Sequence, residues 1–91
     1  MRVFAVYWHP EPRSFNAAMF RTACETFAAA GHELRTSDLH EMRFDPVSSR
    51  KNFSTVKDPN YLKLQIEEMY ATDANGFSEE IESEIRKIEW C

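Results

Sequence analysis

Glycine is scarce, at two residues in 91. That excludes a collagen-like repeat, a flexible linker and the glycine-rich dinucleotide fingerprint. The P-loop is excluded as well, since its lysine is also missing. Cysteine is equally sparse. Cys24 and Cys91 give no disulfide framework, and in a chain without a secretory signal they fit a reducing cytoplasm. Basic charge is not in excess: 11 Lys and Arg stand against 15 Asp and Glu, a net charge of −4. This argues against a nucleic-acid binder, which needs a basic face. No apolar run approaches the roughly 20 residues that span a bilayer. Three histidines and two cysteines show no metal-ligand spacing, so no metal site is expected.

What the chain does contain is an ordinary globular mixture, 43% hydrophobic and 29% charged, in the length of one small domain. Val3-Phe4-Ala5-Val6-Tyr7-Trp8 is a continuous apolar run rich in strand formers. Continuous apolarity predicts burial on both faces, as in the middle of a parallel sheet. His9-Pro10-Glu11-Pro12 ends it in a loop. Ser14 then reads as an N-cap for a helix running from Phe15 to Ala30, and Gly31 closes that helix. A more polar second strand is predicted from Glu33 to Leu39. Strand, helix and strand form a β-α-β unit with parallel strands.

Residues 40–60 contain Pro46 and Pro59 and little periodicity, and read as a long, partly ordered connection. Tyr61 to Tyr70 reads as a helix with Leu62, Ile66 and Met69 on its apolar stripe, broken at Asn75-Gly76. A last helix starts near Ser78, with Ile81, Ile85 and Ile88 on one face and Glu79, Glu80, Glu82 and Glu84 on a solvated one. Arg50-Lys51 reads as a solvated basic pair, and Cys24 as a buried structural thiol. Of the aromatic set Tyr7, Trp8, Phe15 and Phe27, most reads as core. A strand as apolar as the first needs a neighbour on each side. The chain therefore has the pattern expected of the first part of a larger doubly wound α/β domain.

The candidate site is the turn His9-Pro10-Glu11-Pro12-Arg13-Ser14-Phe15-Asn16. A loop at the carboxyl end of a parallel strand that opens onto a helix N-terminus is where open α/β sheets bind ligands. The free amides and the helix dipole there favour an anion such as phosphate. Plain helix capping explains the same residues equally well.

The segment from Val6 to Asn16 resembles the flavin-binding start of the NAD(P)H:quinone oxidoreductases, which have a flavodoxin-like fold. The resemblance continues through Ser37-Asp38-Leu39-His40-Glu41-Met42, Phe44-Asp45-Pro46-Val47, Ser49-Arg50-Lys51 and Lys57-Asp58-Pro59, and reaches Ile88 and Trp90. It implies an α/β, flavodoxin-like doubly wound parallel sheet, of which residues 1–91 are the amino-terminal part. It implies that His9, Phe15 and Asn16 contact the phosphate region of FAD or FMN, assisted by Ser14 and the Ala17 amide. It also implies hydride transfer from NAD(P)H, two-electron reduction of a quinone, and a cytoplasmic homodimer. The family's flavin-ring and quinone loops lie outside these residues, and the glutamine that animal members place near Lys63 is absent. A reading of a different class is a non-catalytic interaction or regulatory module, since relatives of the family include ancillary proteins of potassium efflux systems. A third is a chain with no stable fold of its own.

Overall fold

The computed structural model describes residues 1–91. The elements run β1 (Arg2–Tyr7), α1 (Phe15–Ala29), β2 (Glu33–Asp38), a short 3-10 helix (Arg50–Asn52), α2 (Leu64–Ala74) and α3 (Glu79–Trp90). They resolve into two compact units, Met1–Phe44 with Arg86–Cys91, and Asp45–Ile85.

In the first unit β1 and β2 pair in parallel from Arg2↔Glu33 to Tyr7↔Asp38. This register sets the layers, because side chains opposite each other in a parallel pair share a face. Tyr7 and Asp38 share the α1 face, where the Tyr7 ring stacks on Phe20 at 4.7 Å between centroids. Arg35 and Ser37 share the other face, and the last turn of α3 closes it. There Lys87 Nζ donates to the buried Ser37 Oγ at 2.7 Å, and the Arg35 guanidinium lies 4.1 Å from the centre of the Trp90 ring. The two-stranded sheet thus has helix on both faces, the layering of a doubly wound fold.

Local chemistry explains the ends of α1. Ser14 has extended backbone, and its Oγ accepts from the Ala17 amide at 3.0 Å. At the other end Gly31 sits at φ 83, its amide donating to Ala28 O and the His32 amide to Phe27 O. That pair of bonds is a Schellman closure, and it needs a left-handed residue at position 31. A Cβ at Gly31 meets nothing within 4 Å, so Gly31→Ala tests backbone strain alone. We expect it to lower stability by about 1 kcal/mol, read by thermal unfolding, without any repacking.

Two expectations about the first unit are corrected. β1 is not buried on both faces: its edge away from β2 carries no strand, and Val6 is 57% exposed. Phe15 is not core; it is 80% exposed.

In the second unit Phe53 and Phe77 form an antiparallel bridge, with their rings 5.9 Å apart. The Ser54 amide donates to Gly76 O, and the Ser78 amide donates to Asn52 O. Asn75 ends α2 in the left-handed region at φ 54, a conformation asparagine tolerates. The buried side of α2 is Glu67 and Ala71, not the expected stripe of Leu62, Ile66 and Met69, all three of which are exposed. Glu82 and Glu84 are half-buried rather than solvated. Ile88 is exposed, while Ile81 and Ile85 are half-buried.

Candidate functional site

The turn between β1 and α1 places its residues at the carboxyl end of β1. The Glu11 amide donates to His9 Nδ1 at 3.0 Å. An Nδ1 that accepts leaves the ring proton on Nε2, so His9 keeps a donor on its outer nitrogen. The Ser14 amide donates to Glu11 O at 3.1 Å, which closes the turn. The Ala17 amide is taken by Ser14 Oγ, and the Ala18 amide by Ser14 O. The amides of Phe15 and Asn16 have no residue one turn earlier to bond within the helix, so they are the donors left at the α1 start. With the helix dipole they make a positive corner in a protein of net negative charge.

Among the expected site residues, His9 lies in the turn, half-buried, and Phe15 and Asn16 are the first two residues of α1, both exposed. Ser14 is committed to capping, and Ala17 is buried with its amide on that cap. An anion reaches the Ala17 amide only by sharing or displacing the Ser14 hydroxyl. Arg13 adds little: its guanidinium is exposed and lies 3.5 Å from the Glu11 carboxylate, an ion pair that water screens. Trp8 is also exposed, and its ring meets His40 edge-on at 5.6 Å.

Cys24 is half-buried. Burial raises its thiol pKa, and the neighbouring Glu25 raises it further. A raised pKa keeps the sulfur protonated and inert, as a structural cysteine should be. No helix is long and apolar enough to cross a membrane.

Sequence reasoning missed a second constellation, in the unit 45–85. The Glu67 carboxylate, almost wholly buried, accepts from the Lys57 amide at 3.0 and 3.2 Å and from the Asp58 amide at 3.0 Å. Arg50 lies 3.8 Å from the same carboxylate and donates to Asp58 O at 2.7 Å. The Asp58 amide bond, then the Lys57 one, hold the carboxyl below its ordinary pKa; the Arg50 charge adds to them and burial opposes them. Arg50 is therefore not a solvated surface cation, and only Lys51 of that pair is exposed. The cue was present: Glu67 lies four residues before Ala71, on one side of a helix whose large apolar residues face out.

The parallel strands, the helix crossing between them and a turn at the strand's carboxyl end that opens onto the helix start define a flavodoxin-like α/β protein. The chain belongs to that family: the model of the flavodoxin-like fold matches residues 1–91. It is 36% identical over 89 residues to NAD(P)H dehydrogenase [quinone] 1 of Cavia porcellus, covering 97% of this chain and 32% of that protein. It is 33% identical to the ribosyldihydronicotinamide dehydrogenase [quinone] of Rattus norvegicus, covering 97% and 38% respectively. A crystal structure of a Klebsiella pneumoniae protein, provisionally assigned as a quinone reductase, superposes with a TM-score of 0.91 at 30% identity. It takes in all of this chain and 35% of that one. The chain thus spans about a third of the length of the relatives it matches. The relatives carry the names of quinone-reducing dehydrogenases, so the expected fold and family hold.

Proposed function

We propose that residues 1–91 are the amino-terminal part of a flavodoxin-like flavin domain in an NAD(P)H-dependent quinone reductase. In this reading the β1–α1 turn holds the phosphate end of FAD or FMN. The observation that carries it is the pair of uncommitted amides, Phe15 and Asn16, at a helix start beside a histidine whose Nε2 is the donor. The donor types fit a phosphate: two backbone N–H groups at the positive end of α1, and an imidazole N–H in the turn that leads into it. The Asn16 side chain is exposed at the same place and adds a further donor.

A flavin held here would supply the two-electron redox chemistry between NAD(P)H and a quinone. The residues of this chain bind and orient. The α1 amides fix the phosphate, Ser14 keeps the helix start rigid, and Phe15 offers apolar surface beside it. The family resemblance further implies a cytoplasmic homodimer with a small quinone as acceptor.

The test is FMN binding to the whole chain, followed by quenching of flavin fluorescence, with inorganic phosphate as competitor. Asn16→Ala is expected to weaken binding about tenfold, as loss of a hydrogen bond to a charged group does. His32→Ala, at the far end of α1, leaves it unchanged. Equal effects of the two substitutions, or no competition by phosphate, overturn the assignment.

A further inference from the structure

Asn75 and Gly76 close α2, and each is there for a separate reason. Residue 75 sits in the left-handed region at φ 54 and ψ 48, which asparagine tolerates. Residue 76 has no room for a Cβ, which would collide with Thr55. Side by side they form the dipeptide in which a main-chain nitrogen most readily attacks a side-chain amide, because glycine puts no side chain beside the attacking atom.

The chemistry needs only water. The Gly76 nitrogen gives up its proton and forms a bond to Asn75 Cγ. The Cγ–Nδ2 bond breaks, and Nδ2 leaves as ammonia with that proton. The result is a five-membered succinimide, which water then opens. Attack of water at Cγ gives aspartate. Attack at the main-chain carbonyl carbon of residue 75 gives isoaspartate, whose chain runs through Cγ and is one methylene longer. Nothing is oxidised or reduced.

The folded backbone blocks the first step. Ring closure needs the Gly76 nitrogen eclipsed with Asn75 Cβ about the Cα–C bond. In an L-residue a ψ of 48 sets the two nearly trans. The Gly76 amide also donates to Ala71 O at 2.8 Å, and the Gly76 carbonyl accepts from the Ser54 amide at 2.7 Å. Phe77 beside it is bridged to Phe53. The Asn75 side chain is exposed, so the block lies in the backbone. Turning the nitrogen under Cγ requires the end of α2 to open.

We propose that Asn75-Gly76 is a self-modification site, closed while residues 45–85 are folded, released by local opening of that unit and irreversible once used. The lengthened isoaspartate backbone falls where Gly76 is held by both its amide and its carbonyl, so the two bonds cannot both re-form. The chain thereby keeps a covalent record of how often this unit has opened. The inference is independent of the flavin reading, because every residue it uses lies in the second unit.

The experiment ages the whole chain at neutral pH in heavy-oxygen water, with and without guanidinium chloride. Mass spectrometry then follows the tryptic peptide 64–86, in which Asn75 is the only asparagine. In denaturant Asn75 is expected to convert to labelled acid, with isoaspartate the larger product. In buffer conversion is expected to be slower by the factor that protects the Gly76 amide from hydrogen exchange, about tenfold or more. Glu67→Ala is expected to speed conversion in buffer. Asn75→Gly keeps a residue suited to the left-handed cap and is expected to fold and give no product. Equal rates with and without denaturant overturn the proposal, as does unlabelled product or no conversion in denaturant, whatever becomes of the variants. An aged, converted chain that regains the exchange protection of a fresh one after dilution from denaturant overturns it too.

Discussion

Glu67→Ala is expected to release the 57–58 segment from α2 and to cost residues 45–85 their cooperative structure. The carboxylate answers two backbone amides and one arginine, and alanine leaves both amides without an acceptor while Arg50 keeps only Asp58 O. Hydrogen exchange at the Lys57 and Asp58 amides should accelerate by more than about tenfold. Glu67→Gln separates charge from shape, since the amide keeps one acceptor oxygen but turns an N–H₂ toward the other donor. It should protect the two amides only partly. The same group makes this unit acid-sensitive. Its pKa is lowered in the folded chain, so its stabilisation is fully present above the pKa of the free side chain. It fades as pH falls through the lowered folded value. An acid-unfolding transition of the 45–85 amides that disappears in Glu67→Gln is the expected signature. Unchanged exchange in Glu67→Ala would show that the carboxylate is not the clamp.

Gly76→Ala is expected to be the most damaging single-methyl change in the chain. Gly76 is buried, and a Cβ there collides with Thr55 Oγ1, Cγ2 and Cβ. The position is also tied by backbone bonds in both directions: its amide donates to Ala71 O and its carbonyl accepts from Ser54. The backbone therefore cannot retreat. A loss of about 3 kcal/mol, the upper end for overpacking, is expected in chemical unfolding. Thr55→Ala offers a rescue. The Thr55 hydroxyl is buried with no hydrogen-bond partner, so removing it breaks no bond. Because Thr55 Cβ stays in place, 2.9 Å from the added atom, the double variant should recover only part of the loss. Additive losses in that cycle would mean that the two residues do not meet.

The β-α-β unit was legible because its signals are local. Ser14 caps through its own third neighbour, Gly31 closes α1 through the residues beside it, and prolines flank the turn. The family motif from His9 to Asn16 lies wholly within that local frame. Long-range chemistry was not legible. The stripe of Leu62, Ile66 and Met69 has helical spacing and real apolarity, but it faces outward. The side that turns inward carries a carboxylate, because the segment at Lys57 and Asp58 offers amides that only an acceptor can satisfy. Spacing within one helix says nothing of donors ten residues away. Arg50 was misjudged for the same reason: its partners, Glu67 and Asp58 O, are seventeen and eight positions off. Phe15 and Val6 were expected inside because apolarity was read as burial, and both are exposed, Phe15 on the first turn of α1 and Val6 on a strand with one partner.

Among residues 1–91 the edge of β1 away from β2 is unpaired and Val6, Trp8 and Met19 are exposed, which is where a doubly wound sheet adds its next parallel strand.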